Sequence, residues 1–255
     1  MRNAVRLLAL VLAVAAVATY LRGRVPGGLA EHGVPCDPLL GPCEDVGAAA
    51  VEGPGGARIE RPVLAAAQVC ARAGYLCAEV ESGGTAQIIR WNENTAMIRV
   101  RIPTPPGEEP HRATQLRQSA ARGIRAWHGH PFPIRVDLSD QPGEHDFVVN
   151  WAQTLSGAEL GHARTQWRWA NGVADLVVVD FALATRSPFD RQRLLTPRQV
   201  ELTAAHEMGH ALGLPHSDDG SDVMYPTNSA TRLTTRDYRT MEALYELPNG
   251  AQIRR

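Results

Sequence analysis

An excess of positive charge is absent from this sequence of 255 residues: 26 basic residues face 27 acidic ones, for a formal net charge of -1. The field that holds nucleic-acid phosphates is therefore missing, and a nucleic-acid binder is disfavoured. Long hydrophobic runs are scarce, and nothing beyond the first twenty-odd residues could span a bilayer. Neither Gly (23) nor Pro (18) reaches the excess of a collagen-like or disordered chain, and 44% hydrophobic with 21% charged residues predicts a folded body. Lysine is missing altogether, every basic residue being arginine; this reads as genomic bias and carries no functional weight. The length predicts about 1.7 domains, either one domain with additions or two small ones.

What is present begins with a leader. Arg2 and Arg6 precede Leu7 to Ala18, twelve unbroken apolar residues, which is the length of a signal-peptide core and short of a spanning helix. Ala16-Val17-Ala18 ends the run as a small-x-small site, so residues 1–18 read as a signal peptide cleaved before Thr19. The rival reading is an uncleaved membrane anchor reaching to about Leu21, with Arg22 and Arg24 behind it. Both predict an extracytoplasmic protein, secreted or held at the cell envelope. The even set Cys36, Cys43, Cys70 and Cys77 suits that compartment. Local pairs Cys36–Cys43 and Cys70–Cys77 are the economical choice among three connectivities, and neither gap has the short spacing of a thiolate zinc site. Because all four lie in the first third, they are expected to staple something other than the catalytic core.

From Thr19 to about Arg61 the composition is Gly, Pro and Ala with few large apolar residues, which reads as linker. A short helix is expected over Pro62–Ala73, then short strands over Tyr75–Glu81 and Ala86–Trp91, so that 19–95 is a linker and small disulfide-containing extension. A denser pattern starts at Ala96. Ile98, Val100 and Ile102 alternate as a half-buried strand does, and Leu116, Ala120, Ile124 and Trp127 fall at helical spacing. Ile134, Val136 and Leu138 alternate next, followed by Phe147, Val149 and Trp151. Thr165, Trp167 and Trp169 then lead to the hairpin turn Asn171-Gly172, with the apolar strand Leu176–Phe181 after it. The class is α+β.

The chemistry lies beyond. Thr196-Pro197-Arg198-Gln199 has a hydroxyl N-cap, Pro at the first helical position and Gln to close a capping box. The helix so begun carries His206-Glu207-Met208-Gly209-His210. Two imidazoles one turn apart share a face and can reach one metal ion, while Glu207 bears on a metal-bound water. Gly213 lets the chain turn left-handed, so that His216 swings back as a third ligand and a fourth position stays open for water. Isolated His111, His128, His130 and His145 read as ordinary surface or satisfied histidines.

The spacing His-Glu-x-x-His-x-x-Gly-x-x-His resembles the metzincin signature. Val223-Met224-Tyr225-Pro226 resembles the Met-turn beneath the metal in that family, and Ser217 after the third histidine is similar to the matrixin branch. Leu233-Thr234-Thr235-Arg236-Asp237 resembles the start of the C-terminal helix. The likeness runs over residues 96–248, with 249–255 a tail. It implies a metzincin-type domain: a five-stranded mixed twisted sheet, two long helices, one of them carrying the zinc motif, and a C-terminal helix. Leu160-Gly161-His162-Ala163 resembles the edge strand that pairs with an extended peptide. Leu202 and Pro226 match positions at the pocket for the residue after the scissile bond.

The departures are specific. Matrixins hold a structural zinc partly through histidines on two strands; His162 matches one, but Asp175–Phe181 supplies none. Asn228 stands where the family often has Tyr after the Met-turn, and Tyr225 is one position too early to be a tyrosine ligand. No cysteine-switch propeptide is present, Pro35-Cys36-Asp37-Pro38 sharing only residue types. Asp218, Asp219 and Asp222 match no defined calcium loop and read as a solvated turn. Neither structural calcium nor a second zinc finds a clear ligand set.

The resemblance thus implies a monomeric zinc endopeptidase that binds a protein or peptide in extended form. His206, His210 and His216 would hold one zinc, Glu207 would act as general base, and Met224 would support the site sterically. The alternative from another class is an extracellular binding module that keeps zinc for structure alone. Such a closed site needs four protein ligands, whereas this motif supplies three and retains Glu207.

Overall fold

The computed structural model describes residues 62–81, 83–128, 134–170, 173–227 and 229–255. The chain divides into two units, residues 1–44 and 45–255, and everything described belongs to the second. The leader, the linker to Arg61, Cys36 and Cys43, His130, the turn Asn171-Gly172 and Asn228 lie outside the described residues.

The main sheet has five described strands: β3 (Met97–Arg101), β4 (Arg135–Ser139), β5 (Phe147–Ala152), β6 (Gly161–Ala170) and β7 (Val173–Ala184). Their order is β4-β3-β5-β7-β6, parallel throughout except for β6, which runs antiparallel to β7 at the sheet edge. The alternation expected at Ile98, Val100 and Ile102 is present: all three are buried. Interior strands are apolar on the covered face, and Phe147 stacks on Phe181 with ring centroids 5.2 Å apart. The sequence predicts α+β with a five-stranded mixed sheet; the structure has that mixed sheet together with helices, a mixed α/β arrangement.

Two long helices cover the sheet, α3 (Pro110–Arg125) and α4 (Pro197–Ala211). Glu109 caps α3, its carboxylate accepting the His111 and Arg112 N–H groups at 2.9 and 3.0 Å. Leu116, Ala120 and Ile124 are fully buried, and α3 packs closely on α4, with Gly123 against Glu201 and Ala204. Trp127 fastens the pair, its indole donating to the Ala205 carbonyl at 2.8 Å. Helix α4 therefore lies between α3 and the β6–β7 edge of the sheet.

The rest departs from the sequence reading. Instead of a helix over 62–73, Val63–Ala65 forms β1 and Ala66–Val69 the single turn α1. Instead of a strand over 75–81, Gly74–Cys77 is a 3-10 turn and Ala78–Glu81 the helical turn α2. Tyr75, Leu76 and Cys77 are buried in succession rather than alternately, because the turn is seated on the C-terminal helix α5 (Thr235–Glu246). The Cys70–Cys77 disulfide closes the turn with Cα atoms 5.5 Å apart. Of 86–91 only Ala86–Gln87 pairs as β2. The expected tail is β8 (Gln252–Arg254), the central strand of a three-stranded sheet, parallel to β1 and antiparallel to β2. Ala251 and Ile253 are fully buried there, and apolar burial fixes the chain end in place. Tyr75 and Cys77 share one hydrophobic cluster with Met208 and Met224, so this disulfide belongs to the core rather than to a separate element. No helix among the described residues is long and apolar enough to cross a membrane.

Candidate metal centre

Helix α4 starts as its sequence predicts. Thr196 accepts the Gln199 N–H at 3.2 Å, and the Gln199 side chain accepts the Thr196 N–H at 2.9 Å. Three turns later the helix presents His206, Glu207 and His210, and its exit is a Schellman turn. The Leu214 N–H reaches the Gly209 carbonyl and the Gly213 N–H that of His210, both at 2.9 Å. Gly213 has φ of +102, and a Cβ there would stand 2.3 Å from the Ile89 carbonyl oxygen, so glycine is required twice over. Two side chains cap the last turn: the Trp91 indole donates to the Ala211 carbonyl at 2.8 Å and the Tyr245 hydroxyl to that of Leu212 at 3.0 Å. Neither partner is legible from local sequence, since Trp91 lies 120 residues upstream of Ala211.

After this turn His216 returns to the helix face. Its Nε2 lies 3.1 Å from that of His210, which in turn lies 3.1 Å from Nε2 of His206. The protons decide what this convergence means. His206 Nδ1 is 2.6 Å from the Val223 carbonyl and His210 Nδ1 is 2.8 Å from the Leu214 carbonyl. A carbonyl only accepts, so both Nδ1 atoms carry the hydrogen, and in the neutral imidazole each Nε2 then presents a lone pair. Facing lone pairs repel unless a cation sits between them. Ligands about 2.0–2.1 Å from a tetrahedral zinc stand roughly 3.3 Å apart, close to the spacing observed. Burial also holds His206 below the ordinary histidine pKa, against the opposing pull of the Val223 carbonyl, which favours the neutral ligand form. The three histidines thus fit a metal ion.

Glu207 is buried beside them, between α4 and the start of β6. Burial pushes its carboxyl up to about 8, while a hydrogen bond from the Ala163 backbone and the more distant Glu159 charge act in opposite directions. Met224 is fully buried directly beneath the helix: a Cβ on Gly209 would meet its sulfur at 2.2 Å. The loop that brings His216 to Met224 is closed by the Ser217 N–H donating to the Met224 carbonyl at 2.8 Å. Ser217 Oγ donates to Asp222 at 2.6 Å, and Arg236 binds Ser217, Asp222 and Asp218 together. The expected solvated aspartate turn is therefore corrected at Asp222, which is 1% exposed and neutralised by Arg236.

Among the remaining sequence-predicted residues, Leu160 and Gly161 open the edge strand against α4, and Leu202 is half-buried one turn before His206. Pro226 is exposed after the Met-turn. His162 is engaged by Asp180 at 2.7 Å, and Asn150 donates to the same carboxylate at 3.0 Å. Sequence reasoning missed Tyr75, Trp91, Asp237 and Asn249. The only local signal among these was the capping box of α5, in which Thr234 and Asp237 pair.

Comparison with known proteins bears on the same stretch. Residues 142–246 match the family model described as matrixin. Macrophage metalloelastase of Rattus norvegicus is 40% identical over 52 residues, 18% of this chain and 11% of that protein. The Oryctolagus cuniculus macrophage metalloelastase is 43% identical over 56 residues, covering 20% and 12%. Matrilysin of Felis catus is 47% identical over 47 residues, covering 16% and 18%. The chain spans less than a fifth of the length of each of these relatives.

Proposed function

We propose that the chain is a zinc-dependent endopeptidase of matrixin type in which Glu207 is the general base, a reading supported by the match of residues 142–246 to the matrixin family model. The observation that carries this reading is the convergence of lone pairs from His206 and His210, with His216 Nε2 beside them and a buried carboxylate adjacent. When bound, zinc supplies a Lewis acid that polarises the scissile carbonyl and makes water acidic enough to be deprotonated near neutral pH. His206 and His210 are held as ligands by their Nδ1–H bonds to backbone carbonyls, which fix both tautomer and ring orientation. Glu207 takes a proton from the attacking water on a carboxylate oxygen and delivers it to the departing amine nitrogen. Among the described strands β6 ends the sheet, and its outer edge would offer backbone groups to an extended peptide, laid as one more strand along Leu160–Ala163. Leu202 and Pro226 would border the pocket for the residue that follows the scissile bond.

The same reading makes the chain a monomer acting on protein or peptide, not on nucleic acid, in an extracytoplasmic setting reached through the Leu7–Ala18 segment. Metal analysis and hydrolysis of casein test it together. One zinc per chain, activity lost to a chelator and restored by zinc, and a Glu207→Ala variant that keeps zinc but loses hydrolysis are expected. Activity that survives both chelation and Glu207→Ala would overturn the assignment, and stoichiometric zinc with no turnover on any peptide library would favour the binding-module alternative.

A further inference from the structure

A continuous line of hydrogen bonds joins the disulfide-closed turn at 70–77 to a metal-binding histidine. The Tyr75 hydroxyl donates to Asp237 Oδ1 at 3.1 Å. The other oxygen of that carboxylate accepts the N–H of Val223 at 3.1 Å and of Thr234 at 2.8 Å. Val223 then turns its carbonyl to His206 Nδ1 at 2.6 Å. Tyr75 is 1% exposed and Asp237 fully buried, so this line of hydrogen bonds runs through the protein interior. Among the described residues Asp237 Oδ1 takes its hydrogen bond from Tyr75, and a buried carboxylate oxygen stripped of its donor pulls its neighbours out of place.

The phenol is also held in the donor state and in position. Burial first, and the Asp237 carboxylate second, raise it well above the ordinary tyrosine pKa. The Arg236 guanidinium lies 5.3 Å over its ring, the Tyr75 N–H reaches the Thr240 hydroxyl at 3.4 Å, and Cys77 is tied to Cys70 two residues along. Tyr75 is far outside the stretch that matches the family model.

We propose that Tyr75 is a positioning residue for the metal centre: through Asp237 and the Val223 backbone it fixes the ring of His206 and so raises metal affinity. It touches neither metal nor substrate. The inference rests on the metal-centre reading given above. Partners that orient a ligand from outside it are worth about 10- to 100-fold in affinity, and Tyr75 acts two steps further out, behind Val223 and Asp237, so at most the lower end applies.

The test uses the full chain and Tyr75→Phe, which keeps the ring, its packing and the guanidinium contact. Zinc dissociation constants are measured by chelator competition, and the visible spectrum of the cobalt(II)-substituted protein reports ligand geometry without turnover. Ile253→Val, in the three-stranded sheet, supplies a variant that loses stability for unrelated reasons. About a tenfold weaker zinc affinity with a shifted cobalt spectrum in Tyr75→Phe, and neither change in Ile253→Val, is the expected result. A parent that holds zinc beside a Tyr75→Phe protein with unchanged affinity and spectrum overturns this inference alone. Equal losses in both variants also overturn it, by showing a general effect of stability. A parent that takes up no zinc overturns the metal-centre reading with it.

Discussion

Gly161 lies so close to Glu207 that a β-carbon at position 161 would stand 2.8 Å from Cγ of the glutamate, 3.0 Å from its Oε1 and 2.6 Å from Thr203 Cγ2. The start of the edge strand and Glu207 thus occupy their places only because position 161 has no side chain. Gly161→Ala forces either the strand outward or the carboxylate aside. Misplacing a catalytic group by about 1 Å can cost roughly 100-fold in rate, so kcat on a peptide substrate is expected to fall by about that factor. Zinc content, which the proposed reading assigns to His206, His210 and His216 and not to Gly161, is expected to stay at the parent value. A kcat within threefold of the parent would sink the argument.

How much of this was legible in sequence follows the range of the interactions. Helix α4 could be read from its first residue because the Thr196–Gln199 box and the His206–His210 spacing are satisfied within one or two turns. The same holds for α3, whose apolar stripe repeats at helical intervals. Tyr75–Glu81 could not, since its burial is imposed by α5, whose Asp237 and Thr240 lie more than 160 residues along the chain. Asn249, Asp222 and Asp237 carry polar side chains that locally signal solvent. They are buried because distant backbone N–H groups or a guanidinium complete them.

Glu207 should make the metal-free protein sensitive to alkali. Its folded-state pKa of about 8 exceeds its ordinary 4.5, so the folded chain binds a proton that the unfolded chain releases. Stability from this group is complete below about pH 4.5 and is lost as pH rises toward 8. Unfolding in urea at pH 5, 6, 7 and 8 should show a loss on the order of a few kcal/mol that Glu207→Gln does not share. Zinc should shrink the difference, because its charge favours the carboxylate. Parallel profiles for parent and variant would remove burial of Glu207 as the cause.

Metal removal should lower the melting temperature by an amount set by the ratio of free zinc to its dissociation constant. A ligand at 100 times its dissociation constant stabilises the native state by about 2.7 kcal/mol, or roughly 5–10 °C for a chain of this size. Calorimetry with excess zinc and then with a chelator reads the shift. His210→Ala takes away the nitrogen that stands 3.1 Å from both neighbours, so its melting temperature should no longer respond to zinc. A response retained in that variant would place the ion elsewhere.

Asn249 predicts how firmly the chain end is built in. Its amide oxygen accepts the Arg90 N–H at 3.1 Å, while its NH2 group donates to the carbonyls of Arg90 at 3.0 Å and Ala174 at 2.6 Å. One side chain thereby joins the segment before β3, strand β7 and the approach to β8, adding to the backbone bonds that Leu176 makes to Arg90 and Gly250 to Ile88. Asn249→Ala leaves the Arg90 N–H and the Ala174 carbonyl in a buried place without the Asn249 bond, while the Arg90 carbonyl keeps the Leu176 N–H at 3.3 Å. At about 1–3 kcal/mol for each stripped group, partial relaxation should bring the total to about 2 kcal/mol. Asn249→Asp should be at least as damaging, because a carboxylate cannot donate to either carbonyl and would carry charge into the interior. Urea midpoints of both variants decide the matter. Losses below about 0.5 kcal/mol, the range of ordinary surface changes, would show that residues 249–254 are held by strand pairing alone.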